Sequence, residues 1–156
     1  MKNFQNKTRI IKVSIQLRAL ARLAGVACAL GVALFLLVGI NSLAHGGNVR
    51  TLYLAGFGIV EMVIGMVMSR NFFRFFDRLK NGALFDAQTV GHLHRAGQWW
   101  LGCWILNFPV VIIGNHWLGT RLEFGFGQLF ASLTIIFVAW LLQEAQQLQE
   151  EQQLTV

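Results

Sequence analysis

Apolar residues come in four long blocks along this chain, Leu23 to Ile40, Thr51 to Ser69, Trp99 to Leu118 and Phe124 to Leu142, with short polar or basic stretches between them. Each block approaches the roughly 20 residues that an α-helix needs to cross a bilayer, whereas a buried core helix of a water-soluble domain usually has only about 10 to 14. Polarity interrupts the blocks at Glu61 and, marginally, at Asn107, Gln128 and Thr134. The pattern predicts an all-α fold: a four-helix transmembrane bundle in one domain over 1–156. Its spans are expected at about 20–40, 51–70, 98–118 and 124–142, followed by a tail over 143–156. A cleavable signal peptide competes for the first block, because Ser42 and Ala44 in "NSLAH" are small enough for a peptidase. The block is longer than the usual apolar core of about 7 to 15 residues, and its basic lead-in is long, so a span is the better reading.

Composition agrees, with 55% of residues hydrophobic and 13% charged, against about 25% charged in an average soluble domain. The net charge of +6 could suggest nucleic acid, but the placement of the charges argues for a topology signal. Lys2, Lys7, Arg9, Lys12, Arg18 and Arg22 precede the first span, and Arg70, Arg74, Arg78, Lys80 and Arg95 lie between the second and third. The other two connections carry one base each, Arg50 and Arg121. Positive-inside bias then expects both termini and the middle loop in the cytoplasm and two short turns outside. Trp99, Trp100 and Trp140 are expected at the inner interface, and Tyr53 and Trp117 near the outer one. The five middle-loop bases form a candidate cytoplasmic surface for anionic lipid headgroups or a protein partner. Direct nucleic-acid binding is not expected.

Within "SRNFFRFFDRLKNG" the arginines recur every four residues while Phe72, Phe75, Phe76 and Leu79 occupy other faces, as in a helix emerging at the lipid interface. Gly82 supplies a stop, Asp86 a cap for the next helix, and Phe85 and Val90 a hydrophobic staple around its first turn. The tail "QEAQQLQEEQQLTV" reads as a helical extension of the fourth span, solvated or docking a cytoplasmic partner.

Glu61 is the most informative single residue, since a carboxylate at the middle of a span costs on the order of 3 kcal/mol or more and rarely faces lipid. Gly58, Glu61, Gly65 and Ser69 follow one helical stripe, and small residues there predict close approach of a neighbouring helix. On the first span, Ala21, Gly25, Ala29 and Ala33 at four-residue intervals are expected to face it. At about 1.5 Å per residue, Glu61, Asn107 and Thr134 come to one depth, roughly 13 Å from the basic side, and are expected to form a polar layer. Two readings follow. One is a structural lock, with a protonated Glu61 bonded to Asn107 or a backbone carbonyl; the other is a proton- or cation-handling site in a small transporter-like bundle or an oligomer of it. Pro109 is expected to bend the third span or free a carbonyl near Asn107.

Other chemistry is sparse. Cys28 and Cys103 both lie inside spans, which suits packing better than a disulfide. The four histidines lack metal-ligand spacing, although His45 and His116 sit singly in the two outer turns. Phosphate loops, nucleophile elbows and paired catalytic acids are absent from the sequence, so neither an enzyme nor a cofactor is expected.

"RLKNGALFDAQTVGHLHRAGQWW" (Arg78 to Trp100) and the terminal "LQEEQQLTV" resemble the bacterial DUF2975 family of small four-span membrane proteins. The resemblance implies a bacterial inner-membrane protein of unassigned biochemical activity. Its relatives are often encoded beside small helix-turn-helix regulators, which points to a membrane-embedded regulator or anchor for such a partner. A transporter or channel component built on Glu61 is the alternative. The chain departs from the family pattern at Gly91 to His94 and in its Gln-rich tail, both less charged than in relatives.

Overall fold

The computed structural model describes the backbone of residues 2–81, 86–123 and 125–154, and the side chains of 11–81, 86–123 and 125–152. Gly82, Phe85, Phe124, the side chains of Lys2, Lys7 and Arg9 and the last two residues of the chain lie outside those limits. The described chain is four helices: α1 (Lys2–Ala44), α2 (Val49–Lys80), α3 (Ala87–Trp117) and α4 (Phe126–Leu154). All four are long and apolar enough to cross a membrane. At about 1.5 Å per residue even α4, with 29 residues, exceeds the roughly 30 Å hydrocarbon thickness, so each helix projects beyond it.

Local chemistry sets the breaks. After α1 the chain turns through Gly46 and Gly47, both at positive φ (95° and 59°), a region other residues rarely enter. Asn48 then caps α2 by accepting the Arg50 amide. Asp86 caps α3 by accepting the Gln88 amide, and Arg78 near the end of α2 donates to the Asp86 carboxylate at 2.6 Å and to Gln88. Four antiparallel helices place the starts of α1 and α3 and the ends of α2 and α4 at one end, the basic end, and the ends of α1 and α3 and the starts of α2 and α4 at the other, the turn end.

The helices pack in chain order, α1 on α2, α2 on α3 and α3 on α4, and among the described residues no other pair of helices approaches within 8 Å between Cα atoms. The bundle is therefore open, and α1 turns most of its apolar surface outward, as Leu23, Leu30, Leu34, Leu37 and Ile40 show. That surface is what a lipid environment solvates.

The α1–α2 seam is made by small residues facing larger ones. A Cβ added at Gly58 would meet the Phe35 ring at 2.5 Å, at Gly31 the Met62 sulfur at 2.7 Å, and at Gly65 the Cys28 sulfur at 2.8 Å. Among the described residues of α1 the partly or fully covered positions are Ile11, Ser14, Leu17, Arg18, Ala21, Gly25, Cys28, Gly31, Val32, Phe35, Gly39 and Ser42. From Ser14 to Ser42 a row in alternating steps of four and three runs through Arg18, Ala21, Gly25, Cys28, Val32, Phe35 and Gly39, with Leu17 and Gly31 beside it, the spacing that keeps one face on a neighbour. This differs from the expected row Ala21, Gly25, Ala29, Ala33, since Ala29 and Ala33 are exposed. Successive four-residue steps advance about 40° each around a helix and so leave the seam within two of them.

At the basic end Arg18 of α1 pairs with Asp77 of α2 at 2.5 Å, and the guanidinium groups of Arg18 and Arg22 lie 5.6 and 5.0 Å from the Phe73 ring centroid. The stretch beyond Arg70 is helical, as a direct continuation of α2. Its phenylalanines do not all look out at the interface: Phe75 joins Val90, Leu93 and Ala139 in a buried cluster, with Phe72, Phe76, Leu79, Ile135 and Leu142 against it. The tail likewise continues α4 as helix, with Gln146 donating to Glu150.

Candidate functional site: a polar cavity between α2, α3 and α4

Gly58 and Gly65 turn to α1, whereas Glu61, at the edge of their stripe, turns to α3 and is half-buried. There Asn107 Nδ2 donates to Glu61 Oε1 at 3.1 Å and also to Gln128 Oε1 of α4 at 3.5 Å. The Asn107 amide thus joins three helices at a single point. Gln128 hydrogen-bonds the buried thiol of Cys103, which also lies in the field of Glu61. Thr134 is not brought into this group: it is exposed and its hydroxyl donates to the Phe130 carbonyl one turn earlier. Gln128 stands in the place expected for it.

The cluster borders a cavity of about 290 Å³ lined by Phe57 and Glu61 of α2, Trp104, Asn107 and Val111 of α3, Gln128 of α4, and Leu122, Glu123 and Gly125 from the connection between α3 and α4. Two carboxylates line it, and among the described residues no lysine, arginine or histidine does. Glu61 lies twelve residues into α2 from Val49, about 18 Å from the turn end at 1.5 Å per residue. Glu123, in the α3–α4 connection, is exposed.

The connection is held by Asn115, a residue the sequence reading did not single out. Its Nδ2 donates to the Leu122 carbonyl at 2.9 Å, and its Oδ1 accepts the Leu122 amide at 2.9 Å and the Thr120 hydroxyl at 3.1 Å. The Thr120 amide adds a bond to the Gly114 carbonyl, and a Cβ at Gly114 would lie 2.5 Å from Thr120 Oγ1. The segment is thereby laid along the last turns of α3 with the amides of Thr120 and Leu122 paired, as an apolar surrounding requires. Tyr53 crosses from α2 to donate to the Val110 carbonyl at 2.7 Å, just past Pro109, so its hydroxyl serves a helix contact. The α-helix runs through Pro109 without a break.

The expected basic surface divides. Arg70, Arg74 and Arg95 are exposed and Lys80 is partly so, while Arg78 is committed to Asp86 and Gln88. Arg74, Arg78 and Arg95 surround His92, near the start of α3, and its pKa is lowered, first by burial and then by those three charges. Among the described residues, no three His, Cys, Asp or Glu side chains group as metal ligands. His45 spends its Nδ1 on the Asn41 carbonyl, and both cysteines are free.

Four long apolar helices with intramembrane polar groups gathered inside define a multi-pass integral membrane protein. Residues 47–156 match the family described as "Protein of unknown function (DUF2975)", and the chain belongs to that family. The match takes in α2, α3 and α4 together with both stretches that carry the sequence resemblance. No curated protein and no solved structure matches the chain.

Proposed function

We propose that this protein handles a proton or small cation at Glu61, as a compact transporter or channel component of the bacterial inner membrane with both termini in the cytoplasm. The observation that carries the reading is a carboxylate placed on a cavity between three apolar helices, bonded to Asn107 and opposed by no basic group on the cavity wall. Intramembrane carboxylates are costly and typically mark ion or proton pathways. Asn107 would hold the carboxylate in position, and the role is binding and transfer rather than catalysis. Basic residues concentrated at one end of the bundle support the orientation. The test is flux into proteoliposomes: Glu61→Gln should abolish proton or cation uptake while the protein stays folded. Equal uptake by wild type and variant would remove the proposal.

A second reading, a membrane anchor for a cytoplasmic protein such as a small helix-turn-helix regulator, is favoured by a different observation. A groove of about 390 Å³ runs between the basic ends of α3 and α4, lined by residues including His94, Arg95, Gln98, Gln143 and Gln146. Its polar walls suit a protein segment, and the exposed Arg70 and Arg74 suit anionic headgroups beside it. Cross-linking with the tail intact and then deleted after Leu142 tests it. If every partner is still captured without the tail, this reading is lost.

A further inference from the structure

We propose that the ligand of the Glu61 cavity is a small organic cation with an apolar body, admitted from the turn end past Glu123. The inference rests on the reading of Glu61 as a cation site and adds the chemical class and the route.

The sign of the charge follows from the walls. Glu61 and Glu123 supply carboxylates at the inner and outer parts of the cavity, and among the described residues no cationic side chain lines it. The Nδ2 donor of Asn107 is spent on Glu61 and Gln128, which holds the Glu61 carboxylate in place at the cavity wall. Anions are thereby disfavoured by repulsion from the two carboxylates.

An organic cation fits better than a bare metal ion. Calcium and magnesium require about six or more oxygens in a close shell. Much of this wall is instead Phe57, Trp104, Val111 and Leu122. Aromatic faces attract quaternary and substituted ammonium groups through the ring quadrupole, most strongly for Trp, and apolar walls bury the remainder of such a molecule. The volume of about 290 Å³ lies at the lower edge of the roughly 300–1,000 Å³ usual for ligand pockets, which suits a molecule of one ring.

Access follows from the α3–α4 connection. Asn115 pins the segment that carries Leu122 and Glu123, so Glu123 is held at the mouth, where an exposed carboxylate raises the local concentration of cations.

The experiment uses the full chain in nanodiscs of zwitterionic lipid, with benzyltrimethylammonium as probe because its charge is fixed, and phenylacetate as the anionic counterpart. Binding is followed by calorimetry and by tryptophan emission, with Trp104→Phe identifying the reporter. Saturable binding of the cation alone is expected. It should weaken about tenfold or more in Glu61→Gln, where a charge pair in a water-poor site is lost, and recover in part in Glu61→Asp. Glu123→Gln should weaken it only about two- to fivefold, and this loss should shrink in high salt. Failure of the cation to bind wild type, or equal binding to Glu61→Gln, overturns the inference. If Glu61-dependent proton uptake persists in that case, the cation-site reading survives with a different ligand. Saturable, Glu61-dependent binding without any flux would uphold the ligand class and overturn transport. Comparable gel-filtration profiles and melting temperatures for all variants exclude misfolding as the cause.

Discussion

The ring of Phe35 on α1 fills the space that a side chain at Gly58 on α2 would take, with Cζ 2.5 Å from the position of the missing Cβ. Gly58 is accordingly a site of close approach, and Ala there must push the ring or the helix away. Gly58→Ala is expected to destabilise the α1–α2 pair by about 1–3 kcal/mol, the usual cost of overpacking. In a Phe35→Leu background the same change should cost less, because the opposing ring is gone. Denaturant unfolding in detergent, run as a double-mutant cycle, measures both values, and strict additivity would contradict the packing assigned here.

Thr89 is fully buried in the first turn of α3, and its hydroxyl has no hydrogen-bond partner among the described residues. A buried unpartnered hydroxyl carries a desolvation cost that a methyl of similar size does not. Thr89→Val should therefore stabilise the protein by about 1 kcal/mol, read as a higher melting temperature. A destabilised variant would mean that the hydroxyl is bonded after all.

Asn115 makes three hydrogen bonds to the α3–α4 connection. Asn115→Ala should release the segment around Thr120 and Leu122 at a cost of about 1–2 kcal/mol. Faster hydrogen exchange at the Leu122 amide, with no change at Asn107, is the expected signature. Leucine at the same position has similar size and no amide, so it should behave as alanine does.

His92 is shifted below its ordinary value of 6.5, first by burial and then by Arg74, Arg78 and Arg95. The unfolded chain thus binds more protons at this residue than the folded one as the pH falls below 6.5. Stability rises with pH across the window from the folded pKa up to 6.5, and is progressively lost as pH falls through it. Melting temperatures compared at about pH 7.5 and 5.5 should drop at the acid value, and His92→Gln should flatten that drop. An unchanged slope in the variant would assign the effect to another group.

Four spans, their antiparallel order, the cap at Asp86 and the helical nature of the tail were legible in the residues alone. These properties depend on local chemistry: run length against bilayer thickness, a capping carboxylate, and the parity of four crossings. Glu61 and Asn107 were legible as a pair for the same reason, since depth counts residues along a helix. Facing was another matter. Lipid solvates an apolar side chain about as well as a neighbouring helix does, so periodicity of hydrophobicity no longer separates inside from outside in these helices. Spacing alone put Ala29 and Ala33 on the α1 seam, where steps of three and four actually keep Cys28 and Val32.

Thr134 shows the same limit. Residue counting expected it at the depth of the polar layer, but it lies six residues along α4 from Gln128, the residue that reaches Asn107, about 9 Å nearer the basic end and about 240° around the helix. Only tertiary packing selects between them, because both are equally marginal in an apolar run and the connection laid back along α3 sets where α4 starts. The cavity is further still from the sequence. It exists because Asn115 lays the α3–α4 connection beside α3, carrying Glu123 to the mouth of a site whose floor is Glu61. The amino-acid order by itself determined that the chain crosses a membrane four times with a carboxylate inside. Which helix faces that carboxylate, and what walls it in, was decided by close packing and paired backbone groups, forces that act between segments distant in sequence.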